Sequence, residues 1–234
     1  MDVAGKKAVI FGGTSGIGLA AAKQLVALGA EVIAVSRSPK KAGDVPAGVT
    51  LKQCDVLDRD AVQKLLKECA PYQVLVSAAT GGARAVGPFL EMDMDGFKGS
   101  FDKLWGYTNV VRYGTQYLTD DGSIVLVSGA PARKTRPGQV AIGAVGGAVE
   151  SFVRAITREL APKRINVVSP GVIDTPMSPL KGAERDAYYA KATGNNIIPR
   201  PGTADEVAQA IVFLIQNDFV TGTTVDVDGG WLLS

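Results

Sequence analysis

The segment Gly12–Gly18, with the sequence GGTSGIG, has the residue types and spacing of a phosphate-binding loop. It follows an apolar run at Lys7–Phe11 and precedes a helical pattern that stops at Gly29. Glycines at such a junction allow a tight turn and let the backbone approach a pyrophosphate at the helix N-terminus. A glycine-rich turn without a ligand is the alternative, but a second strand about 20 residues further on favours a dinucleotide site. The predicted cofactor contacts in this loop are Gly12, Thr14, Ser15, Gly16, Ile17 and Gly18.

The residues that end the second predicted strand decide which dinucleotide fits. An acidic side chain there would accept a hydrogen bond from the ribose 2′-OH of NAD and repel a 2′-phosphate. The chain has Ser36-Arg37-Ser38 at this point, with Lys40 and Lys41 close behind. A guanidinium can bind a phosphate bidentately, and hydroxyls can donate hydrogen bonds to it. The pattern therefore favours NADP(H) over NAD(H), although an ordinary solvated basic loop contains the same residue types.

The overall composition excludes several other classes of chemistry. The 234 residues carry a net charge of +2 and contain no histidine. This excludes Ser-His-Asp hydrolysis, histidine acid–base catalysis and His-bound zinc, and we predict no metal site. The nearly balanced charge predicts no nucleic acid or membrane partner, and we expect a small-molecule substrate. We find no apolar run of about 18 residues and no signal segment, and the two cysteines, Cys54 and Cys69, are typical of the reducing cytoplasm.

The hydrophobic pattern predicts the fold that positions the glycine loop. Apolar β-rich runs alternate with helical patterns such as Leu19–Leu28 and Arg59–Cys69, the latter with Asp58 as its N-cap. Buried strands separated by helices form a parallel sheet covered on both faces. We therefore predict a single α/β domain over residues 1–234 with a doubly wound sheet. The seven predicted strands are Lys7–Phe11, Glu31–Val35, Val49–Gln53, Val74–Val76, Ser123–Val127, Ile165–Val168 and Thr224–Val227.

Four segments, taken in chain order, resemble motifs of the short-chain dehydrogenase/reductase family. They are the loop Gly12–Gly18, the triplet Cys54-Asp55-Val56, the triplet Ser169-Pro170-Gly171 with Thr175, and the segment Val227–Gly230. Together they extend over nearly the whole chain. The resemblance implies a Rossmann-like domain, NADP(H)-dependent oxidoreductase chemistry, and a homo-oligomer, either a dimer or a tetramer formed through paired helices.

The same resemblance implies where the cofactor lies. Asp55 and Val56 would contact the adenine, and the segment Ser77–Ala79 stands where the family usually has Asn-Asn-Ala-Gly beside the ribose. A loop ending at Thr175 would frame the nicotinamide. The contacts implied in this way are Asp55, Val56, Ser77, Ala78, Ala79, Pro170, Gly171, Ile173 and Thr175.

The catalytic residues of the family are replaced in this chain. The family usually has an Asn on the fourth helix, a Ser after the fifth strand and a Tyr-x-x-x-Lys pair on the next helix. In the matching register the Ser position is Gly129, the Tyr position is Ile142 and the Lys position is Gly146. Ser128 lies one residue early, so its side chain should point to the other face of the sheet. No nearby tyrosine can restore the motif through a small shift in register.

The Asn position holds Lys103, which is the candidate catalytic residue. Its ammonium can donate a proton to an alkoxide formed by hydride transfer, or stabilise that alkoxide as a fixed charge. Burial near an oxidised nicotinamide would lower its pKa from a reference of about 10.4. Alternatively, Lys103 fills the space of the missing family Lys and binds the ribose. Tyr107, one helical turn later, is expected to pack at a subunit contact.

Two other segments are expected near a substrate. Arg133, Lys134 and Arg136 follow the fifth predicted strand and can recognise a carboxylate or a phosphate, although a solvated charged loop is the simpler interpretation. Residues 178–200 correspond to a mobile lid in the family. They contain two adjacent tyrosines, which we expect to act in the lid or in packing.

Three functions are consistent with a retained cofactor site and an altered catalytic motif. The first is an NADP(H)-dependent oxidoreductase that acts on a ketone, quinone or imine. The second is a non-redox enzyme, such as a cyclase or isomerase, on the same scaffold. The third is a non-catalytic NADP(H)-binding protein. The retained glycine loop, Arg37 and Thr175 favour the first.

Overall fold

A seven-stranded parallel sheet forms the centre of the computed structural model, which describes residues 1–82 and 84–234. The strand order is β3-β2-β1-β4-β5-β6-β9, and a separate two-stranded sheet pairs β7 with β8. The predicted doubly wound α/β fold with seven parallel strands is therefore confirmed. The strands are β1 Lys7–Phe11, β2 Glu31–Ser36, β3 Val49–Gln53, β4 Tyr72–Ser77, β5 Leu118–Val127, β6 Arg164–Pro170, β7 Ile173–Asp174, β8 Gly202–Thr203 and β9 Thr224–Val227.

Helices connect successive strands and cover the sheet. The Asp58 side chain accepts a hydrogen bond from the backbone N–H of Ala61 at 3.0 Å, as expected for the N-cap of α2. The first helix begins at Gly16, three residues before the predicted start at Leu19, because its first turn is part of the glycine loop. The helices are α1 Gly16–Ala27, α2 Arg59–Cys69, α3 Met94–Ser100, α4 Asp102–Gly114, α5 Val140–Leu160, α6 Gly182–Thr193 and α7 Ala204–Gln216.

The core consists of two apolar layers, one on each face of the sheet. Successive strand residues point to opposite faces. Val9 and Phe11 of β1 therefore pack in the layer with α2, α4 and α5, whereas Ala8 and Ile10 pack in the layer with α1 and α7. Because helices cover both faces, the carboxyl ends of the strands are the part of the sheet left open to a ligand.

The strand order reverses between β1 and β4, which are neighbours in the sheet although β2 and β3 lie between them in the chain. The connections that leave these two strands run to opposite sides. A crevice therefore forms outside their carboxyl ends, where open α/β sheets bind ligands.

The expectation that no segment is long and apolar enough to cross a membrane does not hold for helix α5. Among the described residues, α5 meets that criterion by length and composition. Val149 and Val153 nevertheless lie in the core layer beside β5 and β6, and Glu150 on the same helix is buried. Within this domain α5 packs as a core helix, which explains its apolar composition.

Candidate functional site

A cavity of about 320 Å³ lies at the crevice between β1 and β4. Its walls come from the glycine loop, the end of β2, the segments after β3 and β4, and the loop after β7. The residues that line it and that the sequence predicts as cofactor contacts are Gly12, Thr14, Ser15, Gly16, Ile17, Gly18, Ser36, Arg37, Val56, Ala78, Ala79 and Thr175.

The backbone of the glycine loop is packed too closely to admit side chains at key positions. A Cβ at Gly18 would lie 2.2 Å from the carbonyl oxygen of Gly12, and a Cβ at Gly12 would lie 2.7 Å from the backbone nitrogen of Ala79. Gly12 also has a φ of +78°, which favours glycine. These contacts place the N-terminus of α1 directly at the cavity.

The N-terminus of α1 is suited to an anion. Its N-cap, Ser15, makes no side-chain capping hydrogen bond, and the first turn contains no acidic residue. The free N–H groups and the positive end of the helix dipole therefore face the cavity without a competing carboxylate. This arrangement fits the pyrophosphate of a dinucleotide.

The end of β2 fits a 2′-phosphate. The hydroxyl of Ser36 is buried and has no hydrogen-bond partner among the described residues, and it borders the cavity. Arg37 also borders the cavity, is exposed, and forms no ion pair with any described residue. Ser38, which is also exposed, lies just outside the lining. A phosphate held by Ser36 and Arg37 would satisfy both groups.

The segment after β3 contributes Cys54 and Val56 to the cavity. Asp55 is not part of the lining, and one of its carboxylate oxygens accepts a hydrogen bond from the N–H of Leu57 at 3.0 Å. Burial raises the pKa of the Cys54 thiol to about 11, with Asp58 and Asp55 adding to the shift. The thiol is therefore neutral, and Cys54 acts as a small wall residue that was not among the predicted cofactor contacts.

The remaining predicted contacts are not among the residues that line the cavity. Ser77 is fully buried at the end of β4, and its hydroxyl has no partner among the described residues. Pro170 ends β6, Gly171 packs against Asp228, and Ile173 pairs with Gly202. The lining residues that were not predicted are Phe11, Val35, Cys54, Thr80, Gly81, Pro176 and Met177. The sequence could have indicated these residues as cavity lining only through their position, because they are neighbours of predicted contacts along the chain.

The family's catalytic Ser and Lys positions differ in how much room they leave. A Cβ at Gly129 would have Pro131 Cδ at 3.6 Å and the Pro170 carbonyl oxygen at 3.8 Å as its nearest neighbours, which is ordinary contact. A Cβ at Gly146 would lie 3.0 Å from Ala132 Cβ, because the loop after β5 packs against α5 at this point. Ile142 is partly buried and offers no polar group. The positions of the missing Ser, Tyr and Lys are thus small or apolar.

Lys103 lies in the first turn of α4, largely buried, at the carboxyl end of β5. Its ammonium donates a hydrogen bond to the carbonyl oxygen of Ser128 at 3.0 Å, next to Gly129. Lys103 is not among the residues that line the 320 Å³ cavity. Burial and, to a smaller extent, the positive charge of Arg84 together lower the pKa of Lys103 to about 7. An amine with this pKa can both donate and accept a proton near neutral pH.

Two neighbours of Lys103 hold the end of β5. The Tyr107 hydroxyl donates to the carbonyl oxygen of Val127 at 3.0 Å, and burial raises the pKa of Tyr107. Tyr107 belongs to the core, so the expectation that it packs at a subunit contact is wrong. The Ser128 hydroxyl points towards α5, where it bonds the Gly146 carbonyl at 3.1 Å and the Glu150 carboxylate at 3.3 Å.

The basic residues after β5 are engaged in contacts within the protein. Arg133 forms a bidentate ion pair with Asp226 and lies 3.5 Å from the buried carboxylate of Glu150. The Arg136 guanidinium lies 3.9 Å from the ring centroid of Trp231. Lys134 donates to the backbone oxygen of Ser234. An anion bound at this loop would therefore compete with contacts that these residues already make, and the Arg133 ion pair itself is exposed to solvent.

The predicted lid segment contains α6, and one of its arginines contacts the loop after β7. Arg185 forms an ion pair with Asp174 and donates to the carbonyl oxygens of Thr175 at 2.8 Å and Ser178 at 3.0 Å. Tyr188 is exposed, whereas Tyr189 is buried. Arg185 therefore ties α6 to the loop that carries Thr175 into the cavity. Among the described residues no cluster of His, Cys, Asp and Glu suits a metal ion.

Comparisons with known proteins agree on one kind of relative. Residues 12–232 match the family model described as enoyl-(acyl carrier protein) reductase. The 3-oxoacyl-(acyl-carrier-protein) reductase FabG of Thermotoga maritima is 32% identical over 100% of both chains. A small-chain dehydrogenase solved in complex with NADPH is 30% identical, covers 98% of this chain and 100% of its own, and superposes with a TM-score of 0.83.

A further solved structure is similar in a more specific respect. It is the apo form of a short-chain oxidoreductase from Pseudomonas aeruginosa described as containing an atypical catalytic centre. It is 26% identical, covers 99% of this chain and 98% of its own, and superposes with a TM-score of 0.85. Proteins of this fold with altered catalytic centres are therefore known.

Proposed function

Because the chain belongs to the short-chain dehydrogenase/reductase family, we propose that it is an NADP(H)-dependent oxidoreductase of a small carbonyl substrate, with Lys103 in place of the usual catalytic residues. The substrate class is a ketone, quinone or imine. The observation that carries this proposal is the position of the Lys103 ammonium, which lies beside Gly129 with a pKa of about 7. No hydroxyl stands at the family's Ser or Tyr position to take this role.

The choice of NADP(H) rests on the end of β2. Ser36 offers a buried hydroxyl without a partner, and Arg37 offers a guanidinium without an ion pair among the described residues. The glycine loop and the N-terminus of α1 would hold the pyrophosphate, and Thr175 would lie near the nicotinamide. The NADPH complex of a relative that is 30% identical supports the same cofactor.

When bound, NADPH supplies a hydride to the carbonyl carbon of the substrate and becomes NADP⁺. The electron pair of the C=O bond then moves to the oxygen, which needs a proton. In the proposal the Lys103 ammonium donates that proton, and the neutral amine takes another from solvent. A positioned general acid contributes roughly 10²- to 10⁴-fold to the rate. The Ser128 carbonyl oxygen keeps Lys103 in place during this exchange.

The decisive experiment compares Lys103→Met with Lys98→Met, a change at an exposed lysine of α3 outside the site. NADPH oxidation is followed with a panel of ketones, quinones and imines, and NADPH binding is measured separately by nucleotide fluorescence. We expect the Lys103 variant to lose about 10²-fold or more in turnover while its NADPH affinity stays within about threefold. The Lys98 variant should match the unmodified chain.

Other outcomes would contradict the proposal in distinct ways. If the Lys103 variant loses NADPH affinity but keeps full turnover at saturating NADPH, Lys103 binds the ribose and is not the proton donor. If NADPH binds and no member of the panel consumes it, the chain is a non-catalytic binder or a non-redox enzyme. If neither NADPH nor NADH binds, the cofactor assignment fails.

A further inference from the structure

Most basic side chains around the site already have partners within the protein. Arg133 is paired with Asp226 and Glu150, Arg136 stacks on Trp231, and Arg185 is paired with Asp174. An incoming anion would have to break these contacts. Two other cations, Arg84 and Lys103, form no ion pair with any described residue.

Arg84 and Lys103 are brought together by the loop that follows β4. A Cβ at Gly81 would lie 2.6 Å from the backbone carbonyl carbon of Asp102, so this loop packs directly on the first turn of α4. The N–H of Ala85 donates to the Ser100 hydroxyl at 2.8 Å and fixes the other end of the loop. Arg84 therefore lies close to Lys103, and its charge contributes to the lowered pKa of the amine.

The two cations differ in access. Arg84 is exposed, whereas Lys103 is largely buried and bonded to the Ser128 carbonyl. No described acidic side chain lies within ion-pair distance of either one. Asp102, the adjacent carboxylate, packs against Gly82 instead. The result is a positive region that runs from the surface to the candidate catalytic amine with no internal counter-charge.

We propose that Arg84 and Lys103 together bind a small 2-oxo acid, with Arg84 on its carboxylate and Lys103 on the carbonyl oxygen that is reduced. This proposal rests on the proposed function, since it names the substrate class of the same site. A guanidinium binds a carboxylate in a planar, bidentate manner, and the adjacent carbonyl of a 2-oxo acid lies within reach of a second donor. A carboxylate would also supply the missing counter-charge.

The positions of the missing Ser, Tyr and Lys carry no polar side chain, and this favours a substrate with a charged group that Arg84 can bind. Gly129 places no side chain at the family's Ser position, where a Cβ would make only ordinary contacts, and Ile142 places an apolar side chain at the family's Tyr position. A neutral ketone would gain a hydrogen bond from Lys103 alone of these two cations. A 2-oxo acid gains a second anchor at Arg84, which fixes its orientation before hydride transfer.

The test uses two substrates of nearly equal shape, 2-oxo-2-phenylacetate and its neutral amide, 2-oxo-2-phenylacetamide. Turnover with NADPH is measured for the unmodified chain, Arg84→Gln, Arg84→Lys and a control, Arg112→Gln, at an exposed arginine of α4 outside the site. We expect kcat/KM to be about tenfold or more higher for the acid than for the amide. Arg84→Gln should remove that preference, Arg84→Lys should retain part of it, and Arg112→Gln should leave it unchanged.

A binding measurement separates this proposal from the proposed function. Calorimetry with oxamate, an unreactive mimic of a 2-oxo acid, is performed on the chain loaded with NADPH. Oxamate binding that weakens about tenfold or more in Arg84→Gln supports the anion site even if no substrate is reduced, in which case the oxidoreductase function fails. Equal turnover of the acid and the amide would overturn the anion site, and so would oxamate binding that is absent or unaffected by Arg84→Gln. In either case, reduction of neutral ketones by NADPH would still support the oxidoreductase function.

Discussion

At the scale of single residues, the burial of Lys103 sets the pH dependence of the proposed reaction. Its pKa of about 7 means that the protonated donor is lost as the pH rises above neutrality. We expect kcat/KM for carbonyl reduction to be constant below about pH 7 and to fall by about tenfold per pH unit above it. The reverse oxidation needs the neutral amine and should rise over the same interval.

Profiles of both directions in the unmodified chain and in Lys103→Arg test this expectation. A guanidinium remains protonated throughout the accessible range, so the inflection near pH 7 should disappear in the variant. An inflection that persists in Lys103→Arg would assign the titration to another group and remove Lys103 as the donor.

Arg37 is the residue that separates NADP(H) from NAD(H) in the proposed site. Its guanidinium borders the cavity beside the unpartnered Ser36 hydroxyl, whereas Lys41 lies in the exposed turn that follows. We expect Arg37→Asp to weaken NADPH binding by about tenfold or more and to leave NADH binding equal or stronger. Lys41→Asp makes the same change of charge and should have a much smaller effect.

Thermal shifts with each nucleotide measure this difference, since a ligand stabilises the folded state in proportion to its affinity. Equal losses of NADPH-induced stabilisation in the two variants would indicate that the basic loop acts only through its overall charge. In that case the assignment of a 2′-phosphate pocket to Ser36 and Arg37 would be wrong.

At the scale of elements, the glycines of α5 allow the loop after β5 to pack against the helix. A Cβ at Gly143 would lie 2.5 Å from Thr135 Cγ2 and 2.8 Å from the Pro131 carbonyl oxygen, whereas a Cβ at Gly147 meets nothing closer than 3.7 Å. Gly143→Ala should therefore lower the free energy of unfolding by about 1–3 kcal/mol through overpacking. Gly147→Ala should raise it by about 0.5–1 kcal/mol through helix propensity.

Urea denaturation of the two alanine variants provides the measurement, with the slope of the transition as a check that unfolding remains two-state. Two variants that are equally stabilised would show that the loop yields easily and does not depend on Gly143. The same packing bears on Gly146, where a restored family Lys would press against Ala132. Restoring Ser, Tyr and Lys together therefore requires the loop to move, which the sequence pattern alone does not indicate.

The strands and the glycine loop could be predicted because their signals are local. Continuous apolar runs mark β1 and β6, and GGTSGIG combines turn and helix-start residues within one segment. The ion pair of Arg133 could not be predicted, because its partner Asp226 lies 93 residues away in the chain. The proximity of Arg84 to Lys103 is likewise a product of how the loop after β4 folds onto α4.

At the scale of the whole molecule, the fold brings a cofactor cavity and a cationic region to the same edge of the sheet. The cavity lies outside β1 and β4, and the Lys103 amine lies at the end of β5, the neighbour of β4. The family resemblance indicates both the sheet and the positions of the replaced residues. The sequence alone cannot show that an added side chain would meet ordinary contact at Gly129 but close contact at Gly146, since that depends on packing between segments.

Holding Lys103 in a largely buried place also couples the stability of the entire domain to pH. The pKa of Lys103 is lowered to about 7 in the folded chain from an ordinary value of 10.5. Between these two values the unfolded chain binds one more proton than the folded chain, so the free energy of unfolding rises with pH. The contribution is at most about 1.4 kcal/mol per pH unit. Below about pH 7 both states are protonated, and the cost of burying the charge is present in full.

Denaturation of the unmodified chain and of Lys103→Met over about pH 6 to 9 isolates this contribution from other titrating groups. The stability of the unmodified chain relative to the variant should be constant below about pH 7 and should increase steadily above it. Methionine retains an unbranched apolar stem of similar reach but cannot be protonated, so the difference reports the amine alone. If the free energies of unfolding of the unmodified chain and of Lys103→Met change with pH in the same way over the whole interval, the amine keeps an ordinary pKa. Lys103 would then be too weak an acid for the role proposed here.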